Sequence, residues 1–133
     1  MVSKKDEEAV TAVVQKYIDA TYRGDVEALR QCFHTEAAMS GYLGSERLQG
    51  GPEPFFQAIG ENPPMATAGA PYVGKIASLE VVGRVASARI EETGFAGDLS
   101  FTDWFHLIED NGEWKIVSKA FTTRQAESAE EEG

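Results

Sequence analysis

Leu99-Ser100-Phe101-Thr102-Asp103-Trp104-Phe105-His106-Leu107-Ile108-Glu109 is followed by Asp110-Asn111-Gly112 and then by a second run, Glu113-Trp114-Lys115-Ile116-Val117 through Thr123. An Asn-Gly pair between two runs of β-branched and aromatic residues is a strong hairpin signal, because the tight turn needs residues that tolerate positive φ. Leu99 to Glu109 and Glu113 to Thr123 are therefore predicted as antiparallel strands. Period two puts Leu99, Phe101, Asp103, Phe105 and Leu107 on one face of the first strand, and Ser100, Thr102, Trp104, His106 and Ile108 on the other. Asp103 is thus set among apolar neighbours, where a carboxyl group needs a partner or must keep its proton.

Working outward, Tyr72 to Val82 and Val85 to Thr93 have the same strand character, punctuated by Gly83 and by Gly94 and Gly97. The front of the chain has a different period. Val10, Val13, Val14, Tyr17, Ile18 and Thr21 recur at helical spacing behind Ser3 and Asp6, and Gly24 stops the segment. Asp25 then caps a shorter helix carrying Val26, Leu29, Cys32 and Phe33. Ala37 to Leu43 and Glu46 to Gln49 are predicted as a hairpin, and Phe55 to Ile59, between Pro54 and Gly60, as a third short helix. Glu61 to Ala70 is predicted as a loop. Helices first and consecutive strands afterwards mean an α+β domain with an antiparallel sheet packed on the helices. The domain is expected to span 1–123, with 124–133 an acidic, disordered tail lacking large apolar groups.

The chain has 133 residues, with 12 basic against 22 acidic side chains and a net charge of −10. That balance argues against a surface that tracks nucleic-acid phosphates or anionic lipid. No apolar run has the length of a membrane helix, and the acidic N-terminus does not resemble a secretion signal. Cys32, the single cysteine, has no intrachain partner, so a reducing cytoplasmic setting is expected. No metal site is expected: there is no His-x-x-x-His and no cysteine pair. Nucleophile elbows and glycine-rich phosphate cradles are missing too.

Chemistry therefore rests on scattered groups. Tyr17 and Asp103 are the candidate catalytic pair, and Tyr42, Tyr72, Phe55, Phe105 and His34 the candidate ligand-binding residues. Each has a plain structural reading: Tyr17 as a core residue, Asp103 as one end of a sheet-stabilising pair, His34 as a cap on the carbonyls of the second helix. Three functions stay open. They are a cofactor-independent acid–base enzyme, a small-molecule-binding module with the same pocket, and an interaction domain that presents Trp104, His106, Trp114 and Ile116. Filling of the interior by Phe55, Phe56 and Phe105 would favour the last.

Tyr17-Ile18-Asp19-Ala20, Gly24-Asp25-Val26-Glu27-Ala28-Leu29, Cys32-Phe33-His34-Thr35-Glu36-Ala37-Ala38-Met39, Phe101-Thr102-Asp103-Trp104-Phe105-His106-Leu107 and Gly112-Glu113-Trp114-Lys115-Ile116-Val117-Ser118-Lys119 together resemble the nuclear transport factor 2-like superfamily. The nearest branch is the one labelled putative lumazine-binding, close to the SnoaL-like polyketide cyclases. The resemblance runs from about Ala9 to Thr123. It implies a cystatin-like cone of three helices against a strongly curved mixed, mostly antiparallel sheet, a pocket for a small apolar or aromatic ligand inside, no cofactor, and a homodimer through the outer sheet face. Ketosteroid isomerases of that superfamily pair a tyrosine and a protonated aspartate as an oxyanion hole beside an aspartate base. Tyr17 and Asp103 match the two donors. The base position falls at Gly41, which carries no proton acceptor, so small-molecule binding stands first and an isomerase, dehydratase or cyclase acting on a small carbonyl compound is the alternative.

Overall fold

A computed structural model describes residues 3–124; Gln125 to Gly133, where most of the predicted acidic tail falls, lie outside the described residues. Helix α1, Lys4–Arg23, begins where Ser3 accepts a hydrogen bond from the Asp6 amide, and Val10, Val14, Tyr17, Ile18 and Thr21 form its buried stripe. Gly24, at φ 72°, ends it in the left-handed region that glycine occupies without strain. Asp25 accepts from the Ala28 amide and starts α2, Val26–Cys32. Strand β1, Phe33–Leu43, follows without a linker and is longer than predicted. His34 consequently lies in a strand and does not cap α2. Its ring meets Asp110 at 2.9 Å.

Strand β2 is Glu46–Gly50, and α3, Glu53–Glu61, continues through Gly60. The predicted loop after it holds a further turn of helix, α4, Met65–Ala68, opened by Pro64 and closed by Gly69 at φ 76°. Strands β3, Val73–Val82, β4, Val85–Phe95, β5, Leu99–Asp110, and β6, Glu113–Arg124, then follow. Arg124, expected in the tail, is the last residue of β6 and reaches Glu91 at 3.2 Å. The architecture is α+β: three main helices on one open six-stranded sheet in the order β2-β1-β6-β5-β4-β3. Every neighbouring pair is antiparallel except β1 and β6. In β5, Phe101, Asp103, Phe105 and Leu107 face the helices while Trp104 and His106 face solvent, as the alternation predicts.

One irregularity matters for the interior. Leu107 pairs with Ile116 and His106 with Ser118, so Val117 is an extra residue on β6. Such a bulge changes which face later side chains take. Trp114 and Ile116 point inward before it, and Lys119 and Phe121 point inward after it. The outer surface expected from Trp104, His106, Trp114 and Ile116 therefore loses its second half: Trp114 and Ile116 are core residues, while Trp104 stays 52% exposed.

Gly41 shows the tightest approach of backbone to side chain that bears on the interior. It pairs with Phe121 across the parallel junction, and a Cβ on Gly41 would stand 2.1 Å from the Phe121 carbonyl oxygen and 2.6 Å from its ring. Gly41→Ala should therefore lower unfolding stability by about 1–3 kcal/mol, the usual cost of overpacking, measured by urea denaturation. An unchanged midpoint would show that β1 and β6 separate more easily than this contact implies.

Candidate functional site

The inner face of the sheet carries three ionisable side chains on neighbouring strands. Glu92 on β4 pairs with Phe101, Asp103 on β5 pairs with Ile90 and Phe121, and Lys119 on β6 pairs with Phe105. Each is thus diagonal to the next, within reach of a long side chain. Glu92, Asp103 and Lys119 are only 2%, 1% and 5% exposed. Lys119 Nζ lies 3.9 Å from Asp103 Oδ2 and donates to the Tyr17 hydroxyl at 2.5 Å. Tyr72 donates to Glu92 Oε2 at 2.5 Å, so the line runs Tyr72, Glu92, Asp103, Lys119, Tyr17.

Aromatic rings enclose its cationic end. Lys119 Nζ is 4.1 Å from the Phe55 ring centroid, 5.0 Å from that of Tyr17 and 5.4 Å from that of Phe121. The negative faces of such rings attract a cationic group. Phe105 packs edge-on against Tyr17, at 4.9 Å between centroids, and fixes its ring.

Burial raises Glu92 well above its ordinary carboxyl range, and both the charge of Asp103 and a hydrogen bond to it add to the rise, which Lys119 and Tyr72 only partly offset. Glu92 is the carboxyl farther along the line from the ammonium, and it holds its proton more firmly than an ordinary carboxyl group. Burial also holds Tyr17 well above ordinary phenol range, with Glu92 and Asp103 contributing, so its hydroxyl keeps its proton.

A cavity of about 760 Å³ opens over this line. Tyr17, Thr21, Glu92, Asp103 and Lys119 form its polar floor; Phe55, Ile59, Met65, Phe95, Phe101 and Phe121 supply apolar wall. Of the predicted site residues, Tyr17, Asp103 and Phe55 line this space. Tyr72 and Phe105 stand one layer behind, against Glu92 and Tyr17. Tyr42 is exposed on the opposite face of β1 from Met39 and Leu43, which line the cavity. His34, tied to Asp110, is also away from the cavity lining. Phe55, Phe56 and Phe105 do not fill the interior.

Glu92 and Lys119 were not read from the sequence as site residues, for different reasons. Ala86, Ala88, Ile90 and Glu92 alternate toward the core as regularly as the face that exposed Asp103, so Glu92 was findable. Lys119 was not, because the extra residue at Val117 reverses the phase that Trp114 and Ile116 establish.

Residues 5–122 match the family described as putative lumazine-binding. The chain belongs to this family. Solved structures place this chain among nuclear transport factor 2-like proteins. One of unknown function from Shewanella baltica OS155 is 27% identical, with a TM-score of 0.82 over 95% of this chain and 99% of its own. Another, from Methylobacillus flagellatus KT, is 29% identical, with a TM-score of 0.84 over 93% and 96%. The family chain is also 24% identical to aldolase FrzH of a Cladobotryum species over 124 residues, 90% of this chain and 93% of that protein. No helix among the described residues is long and apolar enough to cross a membrane.

The raised Glu92 gives a pH dependence of stability with a definite sign. Above its ordinary value of 4.5 the unfolded chain releases a proton that the folded chain retains, so stability declines as pH rises toward the folded value. Glu92→Gln keeps the neutral shape and removes the titration. As pH rises above about 5 the variant should lose less melting temperature than the parent protein, read by calorimetry. Parallel pH curves would mean that Glu92 is ionised in the folded protein.

Proposed function

We propose that the cavity binds a small, largely apolar molecule carrying a carbonyl oxygen beside an acidic hydrogen. Tyr17 and Lys119 meet the oxygen and Asp103 meets the hydrogen. The observation that carries this reading is Asp103 Oδ2, buried on the cavity floor without a hydrogen-bond partner among the described residues. An unsatisfied buried acceptor costs about 1–3 kcal/mol, which a ligand donor would recover. Tyr17 supplies the complement. Its oxygen already accepts from Lys119, which leaves its own O–H free to donate and polarises it toward a carbonyl oxygen. The apolar wall suits the rest of the molecule.

A second reading, acid–base catalysis on the same class of compound, is favoured by the carboxyl pair, which holds a proton donor beside a proton acceptor. The resemblance to a protein named as an aldolase supports chemistry on carbonyl compounds. The base position of the ketosteroid isomerase scheme does not support it, since Phe121 lies over Gly41.

Exposed Trp104, with the Arg89 guanidinium 5.6 Å from its ring centroid, supports a homodimer through the outer face of the sheet. Light scattering at micromolar concentration should return twice the chain mass; a monomer mass would refute this arrangement. Cys32, buried and with its thiol pushed up to about 11 by burial, suits a reducing cytoplasm. The net charge of −10 favours a small molecule over nucleic acid as partner.

Benzoylacetone tests the pocket, because its enol presents a hydroxyl and a carbonyl side by side on an apolar ring. It should bind in calorimetry, and Tyr17→Phe should weaken it by about 1–2 kcal/mol, roughly 5- to 30-fold. Absence of binding, or an affinity that Tyr17→Phe leaves unchanged, would end the reading.

A further inference from the structure

Two buried carboxyl groups on the cavity floor share one ammonium, and this imbalance has a chemical use. The titratable groups that face Glu92 are Asp103 from β5, Lys119 from β6, Tyr72 ahead of β3 and Tyr17 from α1. Lys119 is the one cation in that set, and it stands against Asp103. Like charges at such proximity do not both persist away from water, so the pair retains one proton between them. Both carboxyl groups line the same cavity, on the same side of whatever enters it.

We propose that Glu92 and Asp103 form a self-resetting acid–base dyad that dehydrates β-hydroxy carbonyl compounds, with Glu92 as a catalytic acid. This deepens the carbonyl-binding reading and rests on it. The substrate carbonyl oxygen accepts from Tyr17 O–H, with the Lys119 ammonium behind it. Asp103 takes the proton from the α-carbon, and the negative charge that develops on the carbonyl oxygen is held by that donor. The electron pair of the broken C–H bond becomes the α,β double bond as the β-carbon releases its hydroxyl. Glu92 gives its proton to that hydroxyl, which leaves as water. Asp103 now carries a proton and Glu92 has none, and transfer across the hydrogen bond between them restores the starting state. The sum is a β-hydroxy carbonyl compound giving an enone and water, with no external acid, oxidant or reductant.

The geometry assigns distinct losses to the two carboxyl groups. The probe is the β-hydroxy ketone formed from acetone and benzaldehyde, whose dehydration gives benzylideneacetone. The intact protein should form this enone and also exchange the probe's α-hydrogens with deuterium oxide. Glu92→Gln should lower dehydration by about 100-fold or more while α-exchange continues, because the acid is gone and the base remains. Asp103→Asn should lose both. Benzylideneacetone itself should bind the Glu92→Gln protein within about threefold of the parent, since the amide preserves the neutral floor. If Glu92→Gln fails to fold, the intact protein decides alone: dehydration should fall at alkaline pH while α-exchange persists.

Equal loss of exchange and dehydration in Glu92→Gln would reduce Glu92 to a positioning residue and overturn the dyad. Cleavage of the probe to acetone and benzaldehyde in place of the enone would overturn the assigned reaction. Binding of benzylideneacetone without conversion of the probe would overturn the activity and leave the carbonyl-binding reading standing. Loss of both binding and conversion would remove the two together.

Discussion

One ammonium answers for two carboxyl groups on the inner face of the sheet, and the rest of the interior is arranged around that imbalance. Lys119 stands against Asp103, Glu92 keeps its proton, and tyrosines end the line on both sides. Removing one member of a buried charged pair typically costs about 3–5 kcal/mol, more than most single packing contacts contribute. Glu92, Asp103 and Lys119 are therefore tied to one another as tightly as a core is tied to its shape. A structural role alone would be met more cheaply by apolar residues of similar volume, since such replacements are often neutral or stabilising. A cavity lies above the charges.

Helices hold the two ends of that line. Tyr17 lies in the same buried stripe as Val10, Val14 and Thr21, and its hydroxyl reaches β6 because α1 crosses the inner face of the sheet. Phe105 and Phe55 fix its ring from two sides. At the other end Tyr72 stacks on Tyr22 of α1 while its hydroxyl reaches Glu92. Donors positioned by packed rings need little reorganisation when charge develops on a bound oxygen, the condition under which such donors act most strongly.

Period and punctuation made most of the fold legible: Ser3, Gly24, Asp25 and Asn111-Gly112 mark real boundaries, and alternation in β5 identified Asp103 as an inward carboxyl. Tyr17 was legible because a helical stripe announces its own buried face. Glu92 was equally legible by the rule that found Asp103. Lys119 was hidden, because strict alternation from Trp114 and Ile116 sends it to solvent, and the extra residue at Val117 depends on pairing with β5, which local sequence does not encode. His34 and Tyr42 were read as ligand-binding residues, but β1 already runs from Phe33, where His34 meets Asp110, and alternation along it puts Tyr42 on the face opposite Met39 and Leu43, which line the cavity.

Gly41 and the Val117 bulge together set which side chains reach the cavity from β1 and β6. Closing β1 onto β6 puts the Phe121 ring and backbone where a side chain on Gly41 would project, so the edge-side strand offers no base. The bulge that turns Phe121 inward turns Lys119 inward two residues earlier, because both follow Val117 in the same phase. The inward turns of Phe121, against Gly41, and of Lys119 thus share one local backbone feature. With the ammonium in place, a second carboxyl can be retained on the central strands as a neutral acid, and Glu92 occupies that position on β4. The ionisable side chains of the sheet that line the cavity therefore stand on β4, β5 and β6, while β1 lines it with Met39 and Leu43.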